Sequence, residues 1–249
     1  MTSAVTFRWR IHWLMLVFAG VCLPVTLALG FWQLAREEEK ALLLASMAAN
    51  EQAPPVALKA LSAGGDHNYR RVLVSGKFDN RHPIMLQNRV RNGRPGYEVV
   101  IPFQERDTGL WLLVNRGWIA GRADNEIPAV DTLEGSVLLS GHLYRSADVP
   151  FTLGDEQWRH EWPQILQNLE VDALAERLGV PLFAYVLRLD PESPGALAVG
   201  WPKVAIQPQK HRAYAVQWFA LATALVVLSI FANSNLGDVM RQLWRKRDE

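Results

Sequence analysis

At Lys210-His211-Arg212-Ala213-Tyr214-Ala215-Val216-Gln217-Trp218 the chain sets an imidazole, a phenol, an amide and an indole close together. On a helix advancing about 100° per residue, His211, Tyr214 and Trp218 share one narrow face, with Gln217 beside them. Two kinds of chemistry suit such a face. In an interfacial belt, Tyr and Trp anchor a helix at a membrane surface while His, Lys and Arg sit among the headgroups. In a ligand site, a flat hydrophobic molecule lies against the aromatics and His211 donates a lone pair to a metal. Haem fits the second description, because a single imidazole is a common axial ligand.

A second set of residues lies early in the chain. Trp32, Arg36 and Lys40 recur at i, i+4 and i+8, one stripe of a helix, and Gln33 is adjacent. Anchoring plus solvation of a helix leaving a membrane explains the stripe. A pocket facing the His211 segment explains it too, with cations able to pair with carboxylates such as haem propionates. Between the two sets, Val114-Asn115-Arg116-Gly117-Trp118 reads as the end of a strand. Arg116, Gly117 and Trp118 there form either a buried structural corner or an Arg presented to a partner. His67, His82, His142 and His160 are scattered without metal-ligand spacing.

Other chemistries are missing. The sequence holds no Gly-x-Ser-x-Gly elbow, no phosphate-binding glycine loop, no His-Glu-x-x-His and no Cys-x-x-Cys. Charges are mixed, with 26 Lys and Arg against 25 Asp and Glu, so no basic face for nucleic acid emerges. The one cysteine, Cys22, lies in an apolar run, which leaves the rest of the chain without disulfides or thiolate metal sites. No nucleophile is paired with a base, and no enzyme is expected.

The elements that position these residues begin with two apolar runs. Residues 11–34 and 213–233 carry no Asp, Glu, Lys or Arg. Each is long enough to cross a hydrocarbon core of about 30 Å as a helix. The first exceeds a signal-peptide core, and Arg36-Glu37-Glu38-Glu39-Lys40 follows it, so it reads as a retained anchor. Arg8 and Arg10 precede the first run and Arg241, Arg245, Lys246 and Arg247 follow the second. This balance places both termini in the cytoplasm. The absence of an Arg- and Ser-rich presequence favours a bacterial inner membrane.

The expected organisation is a cytoplasmic tail over 1–10, a span over 11–34, an extracytoplasmic (periplasmic) domain over 35–212, a span over 213–233 and a basic tail over 234–249. The first helix is expected to continue to residue 47, because no Gly or Pro interrupts it after Gly30. Residues 71–78, 83–90, 97–103, 110–118 and 136–144 are rich in Val, Leu, Ile and aromatics and are separated by turn residues. Residues 169–178 have helical spacing, and 183–189 and 204–206 read as further strands. The fold class expected is an α+β membrane protein, two transmembrane helices flanking a mainly antiparallel β domain. That domain is barrel- or sandwich-like, with one or two helices.

Taken together, these blocks resemble the surfeit locus protein 1 family of cytochrome c oxidase assembly factors. The resemblance rests on Gly30-Phe31-Trp32-Gln33-Leu34-x-Arg36-x-x-x-Lys40, Gly76-x-Phe78 and Gly96-Tyr97-x-Val99-x-x-Pro102-Phe103. It continues through Val114-Asn115-Arg116-Gly117-Trp118 and His211-x-x-Tyr214-Ala215-x-Gln217-Trp218-Phe219, and spans nearly the whole chain. It implies a role in inserting haem a into the large catalytic subunit, cytochrome c oxidase subunit 1, with haem a synthase as a further partner. It also strengthens the reading of His211 as a haem iron ligand. The family's Asn-x-His-Leu before the Tyr is replaced by Gln209-Lys210-His211-Arg212, which keeps the imidazole but surrounds it with charge. The alternative implied role is a membrane scaffold that holds the oxidase subunit or the synthase without touching haem.

Overall fold

The computed structural model describes residues 6–61, 65–122, 124, 126–146, 158–201 and 206–245. It divides into a helical unit, Met1–Leu44 with Ala205–Glu249, and a β unit, Ala45–Val204. The β unit is narrower than the 35–212 expected, because residues 35–44 and residues 205–212 group with the helical unit.

Among the described residues two helices are long and apolar enough to cross a membrane, α1 (Trp13–Gln52) and a later helix (Pro208–Ala232). At about 1.5 Å per residue, the 40 residues of α1 extend about 60 Å, twice a hydrocarbon core. The charged residues after Leu34 therefore fall on its second half. Leu14, Val17, Phe18, Val21 and Val25 are exposed on α1, as are Val216, Leu221, Val227 and Leu228 on the later helix. Apolar side chains exposed in number around a helix imply a lipid rather than a water surround. This is a membrane protein with two candidate spans.

The ends of these helices are joined by a polar clasp. Asn233 and Asn235 are buried. Asn235 Oδ1 accepts from the Arg8 N–H at 2.7 Å, and its Nδ2 donates to the Thr6 carbonyl at 2.8 Å. The His12 N–H donates to Asn233 Oδ1 and the Arg10 N–H to the Asn233 carbonyl, both at 2.7 Å. The start of α1 thus lies beside the end of the later helix, as two antiparallel spans require.

In the β unit, short β1 (Val56–Ala57) precedes β2 (Arg71–Phe78), β3 (Ile84–Arg91), β4 (Arg94–Glu105), β5 (Trp111–Ala120) and β6 (Val137–Tyr144). Then come β7 (Gln164–Leu166), α2 (Val171–Leu178), β8 (Leu182–Leu189), α3 (Pro208–Ala232) and α4 (Leu236–Arg245). The ring β2-β6-β8-β5-β4 closes through the additional pairing of β2 with β4, so the sheet is a barrel. β3 extends it beyond β4, with β7 on its far side. Closure occurs where β2 changes partner: Gly76 pairs Val137 of β6 and Glu105 of β4. A Cβ at Gly76 would collide with the Gln104 carbonyl, so the crossing admits glycine alone.

Alternation fills the interior. Val72, Val74, Phe103, Leu112, Val114, Leu139, Leu143, Leu187 and Leu189 make the barrel core. Ile84, Leu86, Val100, Leu113 and Val186 point the other way and pack under Leu174 of α2. Gly179, with φ 67°, caps α2 in the left-handed conformation.

Most expected elements are present, and α1 runs further than residue 47. Five strand pairings are antiparallel, and β1–β2, β3–β7 and β5–β8 are parallel. Of the strand expected at 204–206, residues 204 and 205 lie outside the described residues and Ile206 is in no strand. The tail after Asn235, expected as a basic tail, begins as helix α4. Its Leu236, Val239, Met240 and Trp244 fall on one side and Asp238, Arg241 and Gln242 on the other.

One histidine passed over in the sequence has a physical consequence. His142 on β6 stands between Arg71 of β2 and Arg188 of β8, its cross-strand partners. Burial, then the Arg188 charge, lower its pKa from 6.5 to about 4. The unfolded imidazole takes a proton that the folded one refuses, so stability is full above about pH 6.5 and falls as pH drops toward 4. The loss is on the order of 3 kcal/mol at about 1.4 kcal/mol per unit. Unfolding midpoints across this range are expected to decline, and His142→Gln to flatten the decline; an unchanged slope in the variant would refute the assignment.

Candidate functional site

Within the helical unit, α1 and α3 meet where one residue has no side chain. Gly30 is buried, and a Cβ there would lie 2.6 Å from Cε1 of Phe219. The Phe219 ring rests on that bare backbone, and Phe31 meets it edge-on at 5.3 Å. Ala215, further toward the start of α3, is fully buried. Beyond it, His211 Nδ1 lies 2.8 Å from Gln33 Oε1.

An amide oxygen only accepts, so His211 Nδ1 carries the proton and donates it to Gln33. In the neutral imidazole Nε2 then keeps its lone pair. This is how metal-binding imidazoles are oriented: a second group fixes the tautomer through one nitrogen and leaves the other to the metal. The donor set therefore suits an axial ligand of haem.

The remaining candidates surround this pair unevenly. Trp218 is half-buried, while Tyr214 is 52% exposed and Gln217 is exposed one step round the helix. Trp32 is 50% exposed and turns away from the Gly30–Gln33 face. Arg36 lies 5.8 Å from the Trp32 ring centre and donates to Glu39 at 2.6 Å, so its charge is shared locally. Lys40, one turn further along α1, is half-buried. The structure brings Gln33 to His211, joins Trp32 with Arg36, and leaves Tyr214 and Gln217 on an open surface.

The Arg116-Gly117-Trp118 corner has a different character. Val99 pairs with Gly117 and Val100 with Asn115, so Arg116 is the extra residue of a bulge in β5. Gly117 supplies the φ of 113° that this bulge demands. Arg116 is turned inward and 2% exposed. Its Nε donates to the Gly195 carbonyl at 2.7 Å and Nη1 to the Asp131 carbonyl at 2.8 Å, tying two loops to the barrel. Trp118 Nε1 donates to the Arg89 carbonyl at 2.9 Å. Arg116 is a structural arginine held by carbonyls, the buried corner of the two readings the sequence allowed.

The profile of the SURF1 family matches residues 20–223. The SURF1-like protein of Rickettsia conorii is 27% identical over 216 residues, covering 84% of this chain and 87% of its own length. An uncharacterized SURF1-like protein of Mycobacterium tuberculosis is 26% identical over 242 residues, covering 92% and 87%. Surfeit locus protein 1 of Homo sapiens is 28% identical over 234 residues, covering 86% of this chain and 74% of its own.

Two measurements check the geometry. With selectively ¹⁵N-labelled histidine, His211 should show the Nδ1-protonated tautomer, and Gln33→Leu should release it to a mixture; identical spectra would refute the pairing. Arg116→Ala removes a buried side chain, leaves the Gly195 and Asp131 carbonyls without their donor and opens a cavity, so unfolding should occur about 2–4 kcal/mol more easily. Gln217→Ala on the open face should change stability by less than about 0.5 kcal/mol.

Proposed function

Because this chain belongs to the SURF1 family, we propose that it is an assembly factor for haem–copper cytochrome c oxidase. In this reading it carries haem a as transient cargo toward cytochrome c oxidase subunit 1. The observation that carries the proposal is the Gln33–His211 hydrogen bond, which holds an imidazole with Nε2 available where two membrane-type helices meet. His211 ligates the iron. Trp218 and Tyr214 offer aromatic faces to the macrocycle, with Trp32 and Gln217 at its margin. Arg36 and Lys40 on α1, and Arg212 on α3, pair with the propionates.

The open setting of these residues matches a carrier that must release what it holds. One protein ligand and a half-exposed surface give modest affinity, whereas an enclosed pocket would trap the cargo. No catalytic group is assigned. The protein resides in the bacterial inner membrane with both termini in the cytoplasm, and haem a synthase is a natural donor. The competing reading is a scaffold that grips its partners, without touching haem, through strand edges or the Arg116–Trp118 corner; the burial of Arg116 speaks against the corner.

The test is the visible spectrum of the detergent-purified protein after co-production with haem a synthesis enzymes. A Soret band with haem a character is expected, absent or shifted in His211→Ala. Gln33→Leu should weaken retention by about tenfold, the usual effect of losing an orienting partner. An unchanged band in His211→Ala would remove the axial-ligand assignment. No band in any folded variant, with haem a supply confirmed, would favour the scaffold.

A further inference from the structure

The β unit contains a cleft of about 360 Å³ against β3, β4, β5 and β8, lined by Arg89, Glu98, Asn115, Tyr144, Arg145 and Arg188 among others. Three guanidinium groups thus face one carboxylate. That carboxylate is already engaged, since Glu98 accepts from Asn115 Nδ2 at 2.7 Å and lies 3.6 Å from Arg89 Nε. Arg188 has no carboxylate within ion-pair distance among the described residues, and its Nε is buried without an acceptor. It is stacked between Tyr144, at 3.4 Å from the ring centre, and Trp201, at 5.0 Å.

Aromatic faces offset part of the cost of withdrawing a guanidinium from water, but they supply no oxygen to its buried N–H. The Glu98 charge acts on it only from beyond ion-pair distance, so a cation so placed has no contacting anion among the described residues. Arg145, at the exposed rim beside it, adds a second guanidinium with no carboxylate within ion-pair distance among the described residues. Buried Leu86 and Val186 give the cleft an apolar wall. The volume falls within the usual range for small-molecule pockets.

We propose that this cleft binds a small amphipathic anion, its carboxylate or phosphate head held by Arg188 and Arg145 and its apolar body against Leu86 and Val186. A guanidinium fork matches both heads, so a free organic acid and a phospholipid headgroup are alternative sources. The site lies in the β unit and is independent of the haem proposal.

The experiment uses the full-length protein in phosphatidylcholine nanodiscs, titrated with hexanoate, hexyl phosphate and hexanol by calorimetry and thermal unfolding. Hexanoate or hexyl phosphate should bind and raise the unfolding midpoint, while hexanol should do neither. Arg188→Gln should weaken binding by about tenfold or more, as expected for losing a charged hydrogen bond. Arg145→Gln, at the exposed rim and so compatible with folding, should weaken it several-fold. In phosphatidylglycerol nanodiscs, a response to hexanoate that is now absent assigns the headgroup as the source; an undiminished one assigns a free acid. Equal binding of hexanol, equal affinity in both variants, or no response to either anion would overturn the proposal.

Discussion

Polar groups withdrawn from water must find partners within the chain, and this requirement shapes every part of the molecule. In the long helices it is met by the backbone itself. At their joined ends it is met by the side chains of Asn233 and Asn235, which take up N–H groups that precede α1. In the β unit it is met by ring closure at Gly76, which pairs β2 with β4. Buried side chains follow the same rule. Arg116 reaches two carbonyls and His211 reaches Gln33, so each is fixed in one orientation. Arg188 departs from the rule at Nε, which is buried between aromatic faces without an acceptor.

Much of this architecture was legible because strong signals are local. An uncharged run longer than 20 residues has few meanings. Strands such as β2 alternate so regularly that their bounds can be read directly. Non-local contacts left weaker traces. The parallel pairing of β5 with β8 joins residues some 70 apart, and nothing in either strand announces its neighbour. Short β1 and β7 have too few residues to show a period. Helix α4 was hidden by its charges, which drew attention to topology and away from the apolar side between them.

The site was legible in part, for a similar reason. Helical periodicity grouped His211, Tyr214 and Trp218 by face, but it cannot say which face meets another helix. Gly30 decides that question, since the side chain it lacks lets Phe219 approach and brings the Gln33 side of α1 to His211. The stripe of Trp32, Arg36 and Lys40 lies to one side of that contact. Arg116 misled in another way, because an arginine beside a turn glycine reads equally as bait for a partner or as an internal tie. Only the bulge register separates these. Arg188 did leave a trace, a single charge inside the apolar run Phe183-Ala184-Tyr185-Val186-Leu187-Arg188-Leu189.

The clasp at Asn233 and Asn235 also bears on how the protein is made. A ribosome releases residues 6–12 first and Asn235 more than 220 residues later. Their backbone donors have no native acceptors during that interval. The leading segment must wait, solvated or among headgroups, until the last span has been threaded and its end presented. Docking of the leading segment is therefore completed only when Asn233 and Asn235 emerge, and a nascent protein stalled before them would hold an inserted first helix with an undocked leader.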